Sequence, residues 1–312
     1  MMPTLPSERT MTSGIITIIL TVFAMALTDA FVKYASSDMT LWQIYVCRSC
    51  LALPVLVLLA KGRIRPMAIG WVSLRSLMLV AMYLAIYAAI PVLDLSVIAA
   101  TLYTAPLFIV LLSALFLKEQ IRLAHWCAVG IGFVGVLVVV QPRGEDFTSL
   151  SLIPVIAAFL YASAAVLTRA KCVAEAPVTL AISLNMALVI CGALVSLGLW
   201  LFPVTDADRY LFLLGTWSPL NAATLGVLAI MAALIIGVTL GVARAYQSPR
   251  PQVIAIFDYA YLIFAAFWGF VFFGELPDKF TIGGIALIAL AGLMILNTDS
   301  PEAKTDQRSN TA

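Results

Sequence analysis

Charge is the scarcest commodity in this chain. Asp, Glu, Lys and Arg make up 11% of its 312 residues, against about 25% in an ordinary soluble domain. Hydrophobic residues make up 63%, and the mean hydropathy is +1.06. A water-soluble core cannot use that much apolar surface, whereas a bilayer can, so the chain reads as an all-α integral membrane protein. Histidine is rarer still. His125 is the only one, which excludes a His-rich metal centre, and neither a metal nor a cofactor is expected. Five cysteines are scattered through apolar segments. Cys47-Arg-Ser-Cys50 has a C-x-x-C spacing but no second pair, so it reads as packing within a helix. Basic residues form no cluster on a polar face, which argues against a nucleic-acid partner. H-E-x-x-H, G-x-S-x-G and a phosphate-cradling glycine loop are all missing, so no catalytic constellation is present and no enzyme is expected.

What is abundant is the apolar run of about 20 residues that a spanning helix requires. Such runs recur near 14–34, 41–60, 70–90, 95–117, 124–141, 150–170, 179–203, 222–245, 252–273 and 280–297, ten in all. Residues 1–13 are polar and the run after them is longer than a signal-peptide core, so it reads as the first span. The connection from Pro203 to Leu220 is longer than the others, and its acidic start followed by an aromatic and leucine run has the look of an interfacial helix. With the N-terminus inside, one face receives thirteen basic residues, Arg75 counted among them. The other receives Arg143, Arg209 and Lys279. That bias places both termini in the cytoplasm and the chain in the inner membrane as a multi-pass protein.

Val97–Glu119 aligns without a gap on Val253–Glu275. Val-Ile-Ala opens both, Tyr103 falls on Tyr259, Phe108 on Phe264, Phe116 on Phe272 and Glu119 on Glu275. The repeat implies ten transmembrane helices as two five-helix halves, 14–141 and 150–297, flanked by cytoplasmic tails 1–13 and 298–312. Five is odd, so the second half is inverted relative to the first, an arrangement characteristic of secondary transporters with a site near the membrane midplane.

Several stretches carry a family resemblance: Phe31-Val-Lys33 closing the first span, Arg48 in the second, TAPLF (Thr104–Phe108) and LFLKE. GFVGVLVV (Gly132–Val139) and the FDYAYLIFA…FGELP segment from Phe257 carry it further. On these the chain resembles the EamA-type drug/metabolite transporter superfamily over about 14–297. The last segment is similar to a bacterial branch with proteins assigned to riboflavin, S-adenosylmethionine and metallophore movement. The resemblance implies a secondary carrier of a small-molecule substrate, with a central cavity lined by spans 1, 3, 4, 6, 8 and 9 and with spans 5 and 10 at the periphery. Export of amino acids, metallophores or drugs is the alternative. Proton coupling and a homodimer are left open.

Intramembrane charges are the natural site candidates, because an ionised side chain facing lipid costs about 2.5–3.5 kcal/mol on insertion scales. Asp258 lies in the ninth span, where the first half has Leu102. It reads either as a coupling group or counter-charge, or as half of an ion pair with Arg244 or Arg250. Asp29 and Lys33 share a helix face at i, i+4, and Arg48 joins them from the second span. One acid against two bases leaves a positive charge that could attract a carboxylate-bearing substrate, unless the group simply ties spans 1 and 2 together. Tyr83, Tyr87, Tyr103, Tyr161 and Tyr259 could stack a flat ring system. Trp42, Trp71, Trp200 and Trp217 read as interfacial belt, and Gly237-x-x-x-Gly241 as a helix contact.

Overall fold

A computed structural model describes residues 8–35, 38–62, 64–89, 102–118, 122–140, 152–202, 204, 211–274 and 279–298. Every regular element in them is a helix. In chain order these are α1 (Glu8–Ala35), α2 (Leu41–Leu59), α3 (Ile69–Ala89), α4 (Ala105–Phe116), α5 (Leu123–Val140) and α6 (Leu152–Lys171). There follow α7 (Pro177–Leu201), α8 (Leu211–Leu214), α9 (Ala222–Tyr246), α10 (Pro251–Asp258), α11 (Ala260–Phe273) and α12 (Lys279–Thr298). Seven stretches are long and apolar enough to cross a membrane, α10 and α11 counting together, and three shorter apolar helices lie at 105–116, 123–138 and 282–294. The chain is therefore a multi-span, all-helical membrane protein. Pro91, Asp94, Glu119, Glu275 and residues 95–101 of the expected fourth span fall outside the described residues. The interfacial helix expected between the seventh and eighth spans is the short α8.

Local chemistry explains the helix limits. Thr40 caps α2 by accepting from the Gln43 N–H at 3.3 Å, and Asn221 caps α9 by accepting from the Thr224 N–H at 2.8 Å. Prolines 177 and 251 open α7 and α10, where a missing N–H costs nothing. Gly274 ends α11 at φ +68°, donating to the Phe270 carbonyl at 3.0 Å. Lys61 and Gly62 turn the chain between α2 and α3 at φ +46° and +86°.

The packing is heavily interlocked. α5 lies along α12, α2 along α7, α3 along α6 and α1 along α9, while α4 packs on α6 and α1 on α10 and α11. Large apolar residues face outward on nearly every long helix, among them Leu20, Leu58, Leu77, Phe116, Leu123, Leu194 and Trp200. That surface is unfavourable in water and suits hydrocarbon. Trp71, Trp200 and Trp217 are exposed, as an interfacial belt requires, but Trp42 is not. It is 8% exposed and donates from Nε1 to the Leu213 carbonyl at 2.6 Å, holding α8 against α2. Beside it Gln43 clasps Ser218 in both directions, at 2.8 and 2.9 Å. Trp42 therefore belongs to the packed core, where an indole N–H needs a partner and finds a loop carbonyl.

Two further departures bear on the site. Arg75, counted above with the loop cations, lies inside α3 and is 2% exposed. The ninth span is two helices, α10 and α11, broken at Tyr259, where the Leu262 N–H reaches back three residues to the Tyr259 carbonyl at 3.1 Å. The repeat-related position shows the same interruption: Tyr103 and Thr104 form a turn before α4, and the Leu107 N–H reaches the Thr104 carbonyl at 3.0 Å. Pro106 accounts for the first break, since its ring clashes with the carbonyl four residues earlier. The second break has no proline.

Candidate functional site

Asp258 is the last residue of α10, immediately before the break, and is 9% exposed. Its Oδ2 accepts two hydrogen bonds from tyrosine hydroxyls: Tyr246 at 2.6 Å and Tyr161 at 2.8 Å. The two donors come from α9 and α6, and their rings meet edge to face at 6.0 Å. Both bonds enter one oxygen, and among the described residues no other donor reaches the carboxylate. Neither Arg244 nor Arg250 contributes to it. Arg244 is exposed in the last turn of α9, two residues before Tyr246, where it lines a cavity of about 660 Å³ with Arg65, Glu175, Gln247 and Ser248.

Asp29, midway along α1, is exposed although it lies within the bundle's length. Its Oδ2 accepts from the Tyr261 hydroxyl of α11 at 2.6 Å. Arg48 of α2 is 4% exposed, lies against the Tyr45 ring at 5.5 Å, and acts electrostatically on both Asp29 and Tyr83. Lys33 is exposed one turn further along α1, with its ammonium 4.4 Å from the Phe273 ring centre. A cation over an aromatic face is worth about 0.5–1 kcal/mol at an exposed site.

The tyrosines connect these two acids. Tyr103 lies within electrostatic reach of both Asp258 and Asp29, and its ring sits 6.4 Å from that of Tyr259 and 5.8 Å from that of Tyr261. Tyr259 is fully buried, and among the described residues its hydroxyl has no partner. Its ring fills the space left by the missing side chain of Gly132 on α5, where a Cβ would sit 2.7 Å from two ring carbons. Tyr83 of α3 meets Tyr45 edge to face at 6.2 Å and lies near Arg48, Asp29 and Arg75. The Tyr87 side chain falls outside the described residues.

Two members of this interior were not singled out in the sequence. Tyr246 closes the eighth span, and the signal that points to it is the short connection after α9, which folds α10 back so that residues 246 and 258 meet. Arg75 was hidden by being counted as a loop charge. Its place seven residues into α3 makes it an intramembrane cation. The result is a band of tyrosines, two carboxylates and two guanidiniums enclosed by apolar helices: hydrogen-bond donors and fixed charges of both signs on flat aromatic walls.

That combination defines a class, a multi-span membrane protein with a polar interior suited to a solute rather than to lipid. Within it, residues 12–141 match the EamA-like transporter family. Over 292 residues the chain is 26% identical to the riboflavin transporter of Vibrio cholerae, covering 91% of this chain and 93% of that protein. It is 26% identical to the pseudopaline exporter CntI of Pseudomonas aeruginosa, over 92% of this chain and 96% of that one. It is 25% identical to an S-adenosylmethionine uptake transporter of Rickettsia bellii, over 63% and 62%. A protein of known crystal structure superposes with a TM-score of 0.73 at 17% identity, covering 94% of this chain and all of that one, so the fold has been seen by experiment.

Proposed function

We propose that the protein is a secondary active transporter that moves a small organic metabolite across the inner membrane by alternating access. In this reading the chain makes ten spans in two inverted five-helix halves, with both termini cytoplasmic. The three shorter apolar helices supplement the seven long ones, and the packing supports the inversion. Exchanging the halves turns α3 on α6 into α9 on α1, and turns α4 on α6 into α10 and α11 on α1. It leaves α5 on α12 and α2 on α7 unchanged. Both halves also break a helix at the repeat-related Tyr103 and Tyr259, and carriers place their sites at such discontinuities.

The observation that carries the reading is Asp258, a buried carboxylate at a helix break, held on one oxygen by Tyr161 and Tyr246. Tyr83, Tyr103 and Tyr259 supply the walls for a flat ring, and the names of the relatives favour small-molecule cargo over chemistry on a substrate. Proton coupling through Asp258 belongs to the reading; homodimer formation does not. Lys33, Arg48 and Asp29 form a charged set near the Tyr261 side, and Arg244 lines the cavity at the end of α9 without acting on Asp258.

Proteoliposomes test this, with wild type beside Asp258→Asn and with riboflavin, S-adenosylmethionine and aromatic amino acids as cargo. The wild type should exchange labelled for unlabelled cargo and accumulate it under an imposed proton gradient. Asp258→Asn should retain exchange and lose accumulation. Equal accumulation by both removes Asp258 from coupling, and no exchange of any cargo by the wild type removes the carrier reading. Export of an amino acid, metallophore or drug is the second reading, favoured by the likeness to the pseudopaline exporter, and the direction of net flux decides it.

A further inference from the structure

Arg75 and Asp258 are opposite charges enclosed in one interior, and among the described residues each lacks a charged partner. The guanidinium has five N–H donors. Its Nε donates to the Thr168 hydroxyl at 2.7 Å, and Thr168 in turn donates to the Ala164 carbonyl at 2.7 Å. Nη1 is buried with no acceptor. Among the described residues no carboxylate acts on Arg75; the groups in electrostatic reach are Cys172, Tyr161 and Tyr83. One bond to a neutral hydroxyl is poor compensation for a cation that is 2% exposed, because buried charges are ordinarily paired and fully hydrogen-bonded. Arg48 shows the contrast. It is almost as deeply buried, but Asp29 lies within its reach. Asp258, in the same way, has tyrosine hydroxyls and, among the described residues, no cation.

Tyr161 links the two. It donates to Asp258 at 2.8 Å and is within electrostatic reach of Arg75, and Tyr83 on the Arg75 face of α3 stands near it. Arg75 and Tyr83, eight residues apart, share one face of α3, and Tyr161 and Thr168, seven apart, share the face of α6 that meets it.

We propose that Arg75 and Asp258 are the two poles of one cargo-binding site, Arg75 receiving a carboxylate and Asp258 an ammonium or similar cationic group of the same small molecule. Arg75 presents free N–H groups that a planar carboxylate accepts in pairs, and the second oxygen of Asp258 remains open for a donor. Between the poles Tyr161 and Tyr83 face the body of the ligand. The proposal rests on the carrier reading and names its substrate class: a zwitterion with a flat or apolar middle. It also explains why an uncompensated cation persists in the bundle. The cargo supplies the missing charge, so binding is paired with relief of a desolvated guanidinium.

Matched ligands test it on the purified full chain. Tryptophan carries both poles, tryptamine lacks the carboxylate, and indole-3-propionate lacks the ammonium. S-adenosylmethionine and its decarboxylated form make a second pair, and riboflavin is a ring compound with neither pole. In competition binding, the zwitterion of at least one set should bind about tenfold or more tighter than its truncated partners. Arg75→Gln should erase the advantage over the decarboxylated partner while leaving that partner's affinity unchanged, and Arg75→Lys should keep part of it. Asp258→Asn should erase the advantage over indole-3-propionate. Equal binding within both sets, a preference that survives Arg75→Gln, or binding of no carboxylated probe overturns the proposal. Thermal unfolding of Arg75→Met separates a folding role. The proposal expects a variant at least as stable as wild type, and a clear fall in midpoint assigns Arg75 to folding instead. Counterflow of riboflavin unaffected by Arg75→Gln, with no carboxylate preference, leaves the carrier standing and removes only this site.

Discussion

Two glycines on one helix should respond to the same substitution with opposite signs. Gly132 and Gly130 lie in the interior of α5. At Gly130 a Cβ would meet nothing within 4 Å, whereas at Gly132 it would lie 2.7 Å from both Cδ2 and Cε2 of Tyr259. Alanine in a helix interior is favoured over glycine by about 0.5–1 kcal/mol, so Gly130→Ala should stabilise by that amount. Gly132→Ala gains the same propensity but must displace an aromatic ring. That ring is fully buried, flanked by Tyr103 and seated on Val136 and Ile288. It is not the free end of a flexible chain. Overpacking of this kind costs about 1–3 kcal/mol. The net expectation is a loss of up to about 2 kcal/mol for Gly132→Ala, with the two variants separated by about 1–3 kcal/mol. Thermal unfolding of both in the same detergent, read as an order of midpoints, is the assay. Gly132→Ala should also slow transport, because Tyr259 is the residue at which the helix breaks beside Asp258. Equal midpoints, or a more stable Gly132→Ala, would refute the seating of Tyr259 on α5 and the functional role given to that break.

Two further expectations follow from the same geometry. Tyr246→Phe removes a fully buried hydroxyl that donates to Asp258 at 2.6 Å, and a hydrogen bond to a charged group contributes about 1.5–3 kcal/mol. The loss should be clear in wild type and smaller in an Asp258→Asn background; equal losses in both would uncouple the two residues. Gly241→Ala should weaken the α1–α9 contact, because a Cβ there would overlap the Thr21 hydroxyl, while Gly237→Ala meets nothing within 4 Å. Similar stability of the two variants would show that α1 does not approach α9 at Gly241.

The spans were legible because a helix in hydrocarbon must announce itself as a long apolar run. Helix breaks were less so. Pro106 marks the first, but Tyr259 sits in a continuous apolar sequence with no proline or glycine before it, and only its repeat partner, aligned on Tyr103, hints that the two positions behave alike. Trp42 was misplaced for a related reason. An aromatic at a span end has the same sequence whether it meets headgroups or a folded-back loop, and the Leu213 carbonyl that it binds lies 171 residues away. In Gly237-x-x-x-Gly241 the spacing was visible, but only Gly241 is at an interface. Which face of a helix is used is a property of its neighbours.

Charged residues show where sequence reading of the site stops. Asp258 and Asp29 were conspicuous because acids are so rare in these spans, and the structure brings both to Tyr103. Of their partners, Tyr161 was among the ring-stacking candidates, though not as a donor to a carboxylate, and Tyr246 was not singled out. Tyrosine is common enough in the spans that Tyr246 looks like packing until its hydroxyl is seen on a carboxylate at 2.6 Å. Arg75 was discounted because a basic residue near the inner end of a span satisfies the positive-inside rule without further explanation. That rule counts charges by position along the chain and is blind to direction. Arg75 turns inward, to Thr168, and is 2% exposed. An intramembrane cation facing its own bundle has to be explained by a partner, and for Arg75 the described residues supply only a hydroxyl. The same reasoning applied to Arg48 ends at Asp29, inside the chain; applied to Arg75 it finds no carboxylate among the described residues, which is the opening for the proposed cargo carboxylate.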